Sequence, residues 1–319
     1  MLRRLKILFL LFFILSLPAR PAFSFWMWTP ETNEWVNPKY AVKETPSEQL
    51  QYSIGFYQKK DYDLAIKEFR KLISHYPKAR EAPEAQFYVG QCYESLGNLY
   101  QAFKEYQIVV DKYPFSERSG DIVQKQYDIG VRLLNGKQNR NKFVDAFIGA
   151  DYNVIDIFKT VIKNAPYGPL APKAQYEIGL YLAEKQLYQE ARDEFDKVIN
   201  DYPESEWAKA AKYQIALTDS KRSTDAAYDQ KVTQVAVQEF KEFVGVYPDA
   251  ELSDAAKKQI DGLKEKEAEN VFLIAKFYEK QKNYKSAKLY YQSIVDDYSQ
   301  TKWVAPSLKK IREIAPKIK

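Results

Sequence analysis

The sequence predicts an all-α chain, a solenoid of about six stacked helical hairpins. Three observations carry that expectation. A frame made of a small residue, an aromatic four positions on and a closing Tyr-Pro at position eleven recurs along the chain. A second amphipathic stretch precedes the better copies, and the loops between copies are short. The chain is therefore expected to be overwhelmingly helical, with no sheet.

The clearest copy is residues 188–203, YQEARDEFDKVINDYP. Ala191 and Phe195, at i and i+4, share one helix face with Val198 and Ile199. Tyr202 ends the run, and Pro203 cannot continue a helix because it lacks an amide hydrogen. Ala65, Phe69, Tyr76-Pro77 match the frame, as do Ala102, Tyr106, Tyr113-Pro114 and Ala236, Phe240, Tyr247-Pro248. Val154, Phe158, Ala165-Pro166 is a weaker copy, and in the last, Ala287, Tyr291, Tyr298, Ser299 replaces proline. Upstream, Gly90, Gly179 and Ala275 each lie 12 residues before their copy's small residue, where the first copy has Ser53. Small residues on two successive helices let their backbones approach. With the proline 12 positions further on, the unit resembles the tetratricopeptide repeat, a two-helix module that stacks into a superhelix.

Residues 1–24 read as a secretory signal peptide. Arg3, Arg4 and Lys6 precede an apolar run over 7–17, and Ala22-Phe23-Ser24 puts small residues where a signal peptidase needs them. The run is too short to span a bilayer comfortably, and no later stretch is long and apolar enough. The mature chain is expected to begin at Phe25, to be exported and to carry no acyl group. Four of the 48 basic residues lie in this signal, which leaves 44 against 43 acidic ones, so a polyanion partner is not indicated. The tyrosines and phenylalanines fall on the repeat frame and read as core rather than as base-stacking platforms.

Residues 25–45 form an expected extended aromatic arm, with Trp26, Trp28 and Trp35 broken up by Pro30 and Pro38. It packs on the first repeat, lines a membrane interface or binds a partner; the sequence leaves all three open. Residues 46–319 are the solenoid, in blocks 46–118, 119–206 and 207–315. In the third repeat residues 135–151 separate the two helices, and in the fifth residues 219–231 form an insertion. A long helical pattern over 253–281 leads into the sixth, and residues 303–314 close the array before Pro316.

Nothing in the sequence argues for an enzyme. Cys92 and His75 are the one cysteine and the one histidine, and they fall in different repeats, which excludes the usual zinc and Cys-His constellations. No phosphate-binding glycine loop or nucleophile elbow is present. Cys92 reads as a small buried apolar residue, and His75 as a helix C-terminal imidazole. The carboxylate pairs Asp193-Glu194 and Asp296-Asp297 fall on polar helix faces and are expected to be solvated. Cofactors and metals are expected to be absent.

The last third resembles the BamD family of outer-membrane β-barrel assembly factors. The resemblance rests on Ala227-Tyr228-Asp229-Gln230, then Val235-Ala236-Val237-Gln238-Glu239-Phe240, Tyr247-Pro248-Asp249, Ala255-Ala256-Lys257, and a long charged helix ending Ile274-Ala275-Lys276-Phe277-Tyr278. It covers residues 208–299 well and the first two repeats acceptably. This chain departs from the family in two ways: six units where about five are usual, and Phe25 where an acylated cysteine is expected. The resemblance implies a non-enzymatic periplasmic scaffold at the outer membrane. Its implied ligands are the periplasmic domains of the barrel insertase and unfolded outer-membrane protein segments, and it would be held at the membrane through partners, without nucleic acid. The alternative is a repeat adaptor for cell-wall synthesis or envelope constriction of the Tol–Pal-associated type, against which the lack of sustained heptads counts. Counting back from the frame gives Ile54, Tyr57, Phe87, Gln91, Tyr176 and Leu180 as candidate groove-facing residues on the first helices. Lys264 and Lys266 are candidate docking charges on the long helix, with surface pairing as the competing role.

Overall fold

The computed structural model describes residues 26–29, 34–37, 41–138, 154–222, 230–249 and 251–318. The expected signal segment and Phe25 lie outside the described residues. The chain forms two compact units, Met1–Leu96 and Gly97–Lys319.

The first unit opens with a two-stranded antiparallel hairpin, β1 (Met27–Thr29) and β2 (Glu34–Val36). The expectation of no sheet fails here. Trp28 pairs with Trp35 across the strands, an aromatic cross-strand contact of the kind that holds short hairpins together. Three helices follow: α1 (Pro46–Gln58), α2 (Tyr62–His75) and α3 (Ala82–Ser95). The chain just before α1 is strapped down, because the Tyr76 hydroxyl donates to the Lys43 carbonyl at 2.8 Å and the Lys43 amide donates to Gln49 at 2.9 Å.

The second unit holds α4 (Leu99–Lys112), α5 (Ser119–Gln138), α6 (Val154–Asn164), α7 (Leu170–Glu184), α8 (Tyr188–Asp201) and α9 (Glu206–Arg222). It continues with α10 (Gln230–Val246), α11 (Glu251–Lys280), α12 (Tyr284–Asp297) and α13 (Val304–Ile314), and a 3₁₀ turn, Ala315–Lys317, that contains Pro316. Each helix packs on its sequence neighbours from α4 to α13. The fold class is therefore all-α, as expected. Among the described residues no helix is long and apolar enough to cross a membrane.

Two turns recur, and each has a local cause. Within a hairpin, the residue five places before the small frame residue takes the left-handed conformation: Lys60, Gly97, Gln186 and Lys282, at φ 61, 78, 62 and 59°. The next residue caps the second helix; Asp61, Asn98 and Asn283 accept from the amides of Leu64, Gln101 and Ser286. Between hairpins, the closing tyrosine's carbonyl accepts from the amide three residues on, as in Ala79 to Tyr76, Ser116 to Tyr113 and Ser205 to Tyr202. Proline then fills the second position of a tight turn, where its fixed φ is already correct.

All twelve residues at the small and aromatic frame positions are 0% exposed, including the weaker pair Val154 and Phe158. The close approach is real: a Cβ placed on Gly179 would lie 2.5 Å from the Phe195 ring. The third hairpin has its own counterpart. A Cβ on Gly130 would lie 2.8 Å from Phe158, a pairing the spacing rule missed because the segment between α5 and α6 lengthens the offset.

Candidate interaction surfaces

The side chains next to the frame fall into a second pattern. Gln49 on α1 donates its amide to the Glu68 carbonyl at 3.1 Å and to the Glu68 carboxylate at 3.0 Å. Gln175 on α7 does the same to the Glu194 carboxylate. In both hairpins the glutamine stands 16 residues before the small residue and the glutamate 3 after it. Lys71 and Lys197 close the pairs on the solvent side at 2.7 and 2.8 Å. Glu194 is thus held by two partners and is not the solvated carboxylate expected; a buried amide leaves its acceptor nowhere better to go. A second amide cluster ties three helices, since Asn164 donates to both Gln107 and Gln126 at 2.8 Å.

In the fifth hairpin the glutamate is Glu239, but position −16 is Ser220. Glu239 instead takes Arg192 Nη2 from α8 at 2.8 Å, while Arg192 Nη1 binds Asp219 on α9. Arg222 reaches Asp219 from the other side at 3.3 Å. Three helices therefore meet at one guanidinium. Burial pushes the Glu239 carboxyl above the usual range, Arg192 opposes that, and the nearby Asp219 carboxyl adds to it. Asp219 was expected in an insertion; it lies in α9 and is buried, because the helix runs to Arg222 before residues 223–229, which lie outside the described residues.

Beside this node is an open cavity of about 250 Å³, walled by Arg192, Lys212, Glu239, Glu242, Phe243 and Tyr247. Lys212 donates to the Tyr247 hydroxyl at 3.3 Å, and Lys209 and Lys212 both sit over the Tyr247 ring. The volume is below that of a typical small-molecule site and suits one side chain. Among the described residues no group of His, Cys, Asp or Glu could hold a metal. Cys92 is buried, and burial pushes its thiol up to about 12, which makes it an inert packing residue.

The expected groove residues have mixed fates. Phe87 is buried in α3. Tyr57 lies between Tyr62 and Tyr88 at 5.7 and 5.2 Å, and its hydroxyl bonds Ser95. Tyr176 is buried against Phe195 and Trp207, and Gln214 donates to its hydroxyl at 3.2 Å. Leu180 packs half-buried on the same core, and Ile54 and Gln91 are half-buried. Lys264 and Lys266 are half-buried on α11. Lys264 lies close to the buried Glu267, whose carboxyl burial pushes up while Lys241 and Lys264 oppose the rise.

Exposed aromatics stand elsewhere. Phe115 and Tyr167 are 99% and 98% exposed. Both follow the closing proline at the same frame position, where the other hairpins carry Lys78, Glu204, Asp249 and Gln300. That pair was legible as a departure within an aligned column. Trp26, Trp28 and Trp35 are also exposed, and the last two contact each other at 5.7 Å.

The model of a family described as outer membrane lipoprotein, YfiO, matches residues 150–317, and a tetratricopeptide-repeat model matches residues 54–117. No curated protein matches. Among solved structures, the chain is similar to the C-terminal part of a TPR repeat-containing protein from Cytophaga hutchinsonii, with 19% identity, 83% of this chain and 88% of that one covered, and TM-score 0.38. It is similar to a TPR repeats protein from Bacteroides fragilis, with 12% identity, 70% and 99% coverage, and TM-score 0.46. A tetratricopeptide repeat protein from Parabacteroides merdae matches with 14% identity, 85% and 98% coverage, and TM-score 0.35.

Proposed function

We infer the function from one premise: the chain belongs to the YfiO family of outer membrane lipoproteins, whose model matches more than half of its length. We propose that it is a non-enzymatic scaffold of the BamD type, acting on the periplasmic side of the outer membrane in β-barrel protein assembly. The observation that carries this is the family match, which covers the second helix of the third hairpin, the fourth to sixth hairpins and the long helix α11. The architecture supports it. Hairpins held by an inert frame leave their flanking positions free to vary, and that is how repeat arrays present binding surfaces.

The insertase's periplasmic domains are the proposed partner, and unfolded barrel segments a further one. Ile54, Gln91 and Leu180 are the proposed groove positions, because they retain accessible surface. Tyr57 is half-buried as they are and is proposed with them, whereas Phe87 and Tyr176 are buried. Lys264 and Lys266 are proposed docking charges, with one amendment from the geometry. Reversing Lys264 to Glu would add a carboxylate beside buried Glu267, so it would not leave folding intact as surface charges usually do. Removing the charges is the cleaner probe.

The test is affinity capture from detergent-solubilised envelopes with the wild type and with Lys264→Gln, Lys266→Gln. The expected result is co-purification of a β-barrel insertase with the wild type and weakened capture with the variant. Capture of cell-wall synthases in place of an insertase would refute the assembly role.

A further inference from the structure

The chain has five tryptophans, and they divide by environment. Trp207 and Trp303 are half-buried in the core, against Tyr176 at 5.2 Å and Phe272 at 4.9 Å. Trp26, Trp28 and Trp35 are 55%, 44% and 62% exposed. These three stand together, on or beside the β1–β2 ribbon.

The register puts them on one face. Trp28 and Trp35 are directly opposite each other across the antiparallel pair, and residues paired in this way point to the same side of a sheet. Their rings meet edge to face at 5.7 Å. Trp26 stands two residues before Trp28 with Met27 in the strand between them, so the two-residue period of a strand returns it to that side. One side of the ribbon is a row of three indoles.

Among the described residues neither strand packs on a helix as closely as on its partner strand. A two-stranded ribbon on its own is marginal in water, and clustered exposed apolar side chains mark a contact site. The chain behind the ribbon is fixed to the first helical hairpin. The Tyr76 hydroxyl bonds the carbonyls of Lys43 and Glu44 at 2.8 and 3.0 Å, and the Lys43 amide donates to Gln49 at 2.9 Å. A surface that holds the ribbon therefore holds that hairpin near it.

We propose that the tryptophan row enters the headgroup layer of a phospholipid bilayer and holds the first unit at the membrane. Indole joins a large apolar body to a single N–H donor, which is why tryptophan collects at the level of the headgroups. The family to which the chain belongs is described as outer membrane lipoprotein, which makes a bilayer the surface at hand. Charge selects the lipid. Residues 25–40 carry Glu31 and Glu34 against Lys39, so nothing there attracts anionic headgroups, and the contact is with zwitterionic lipid. A proline-rich peptide, the other common ligand of paired aromatics, is read in a groove, and a ribbon of three-residue strands has no walls for one. The inference rests on the membrane association of the family and not on the assembly role, so either can fail without the other.

The experiment is flotation of the full exported chain with pure phosphatidylcholine vesicles, at low and high salt. The wild type should float in both, because salt screens charge and leaves apolar burial in place. Burying most of an indole contributes about a factor of ten in affinity, so Trp28→Ser, Trp35→Ser should bind on the order of a hundredfold more weakly. Trp26→Ser, which leaves the paired strands intact, should lose about tenfold. In a Trp207→Phe, Trp303→Phe chain the ribbon's indoles alone remain, and their emission should shift to the blue when vesicles are added. The thermal midpoint checks that each variant is folded. Failure of the wild type to float overturns the proposal, as does flotation that needs anionic lipid or low salt, or that survives Trp28→Ser, Trp35→Ser unchanged. In detergent extracts, where no bilayer remains, that double variant should capture as much insertase as the wild type. Weaker capture there, or a blue shift given by a proline-rich peptide and not by vesicles, makes the row a protein contact and overturns the proposal. A wild type that floats but captures no insertase supports the proposal and refutes the assembly role alone.

Discussion

Hairpins four and six share one frame and surround it with opposite surfaces. Each buries an alanine and an aromatic completely, Ala191 with Phe195 and Ala287 with Tyr291. In the fourth, the position after the alanine is Arg192, which reaches two further helices, and Glu194 is bound by the Gln175 amide. In the sixth, the same positions are Lys288 and Tyr290, both facing solvent. The fourth hairpin has a neighbouring hairpin on each side to hold; the sixth is followed, among the described residues, by the single helix α13 and a 3₁₀ turn. The frame residues therefore specify the fold, and the residues one to three places on specify what each hairpin touches.

The largest test of that division is Arg192→Met against Lys288→Met. The first leaves Asp219 and Glu239 facing each other without their shared cation. Removing one member of a buried ion cluster costs about 3–5 kcal/mol; Arg222 still reaches Asp219, so the lower end is expected. The second removes an exposed charge and should stay within about 0.5 kcal/mol of the wild type. A pH dependence accompanies the first. Burial raises the Glu239 carboxyl and Arg192 opposes the rise. An acid whose folded value lies above its unfolded one contributes stability that is present at low pH and is lost as pH rises through the folded value. The deficit of Arg192→Met should therefore shrink as pH falls toward the ordinary glutamate range. Urea midpoints across that range check it, and a deficit independent of pH would move the cause from charge to packing.

Next in size is a glycine series. Gly179 leaves no room for a Cβ, with the Phe195 ring atoms at 2.5, 2.7 and 2.9 Å, whereas Gly262 on α11 has nothing within 4 Å. Overpacking costs about 1–3 kcal/mol, and glycine to alanine in a helix returns roughly 1 kcal/mol. Gly179→Ala should be net destabilising, Gly262→Ala stabilising, and Gly130→Ala, at 2.8 Å from Phe158, intermediate. If Gly179→Ala matched Gly262→Ala, close approach would not be what fixes position −12.

The same division explains what could be read from the sequence. Frame residues repeat because the same contact repeats, so the spacing of Ala191 and Phe195 is enough to pick out Ala236 and Phe240 as their counterparts. The glutamine and glutamate ties are also spaced regularly, at −16 and +3, but each looks like an ordinary polar surface residue until its partner on the other helix is known. The Arg192 node was not legible. It joins residues 27 and 47 positions apart, and one of them, Asp219, precedes a segment that disguises the end of α9. The hairpin at Trp28 and Trp35 was hidden for another reason: three-residue strands are too short for alternation to register.

The smallest effect concerns the turn inside hairpin four. Asp61, Asn98, Leu187 and Asn283 occupy the same capping position, with φ and ψ agreeing within a few degrees, −84 and 68° at Leu187 against −84 and 73° at Asn283. Leu187 alone of the four offers no side-chain acceptor, so the first-turn amides of α8 lack the cap their counterparts have. The backbone is already placed for it, and Leu187 is partly exposed and gives up little packing. Leu187→Asn should therefore gain up to about 1 kcal/mol, which in a unit of this size is a rise of roughly 2–4 °C in Tm. Asn283→Leu should lose a similar amount in hairpin six. Equal and opposite shifts would establish that the turn is one interchangeable part. A gain in neither direction would mean that the left-handed residue before it, Gln186 or Lys282, sets the turn's stability instead.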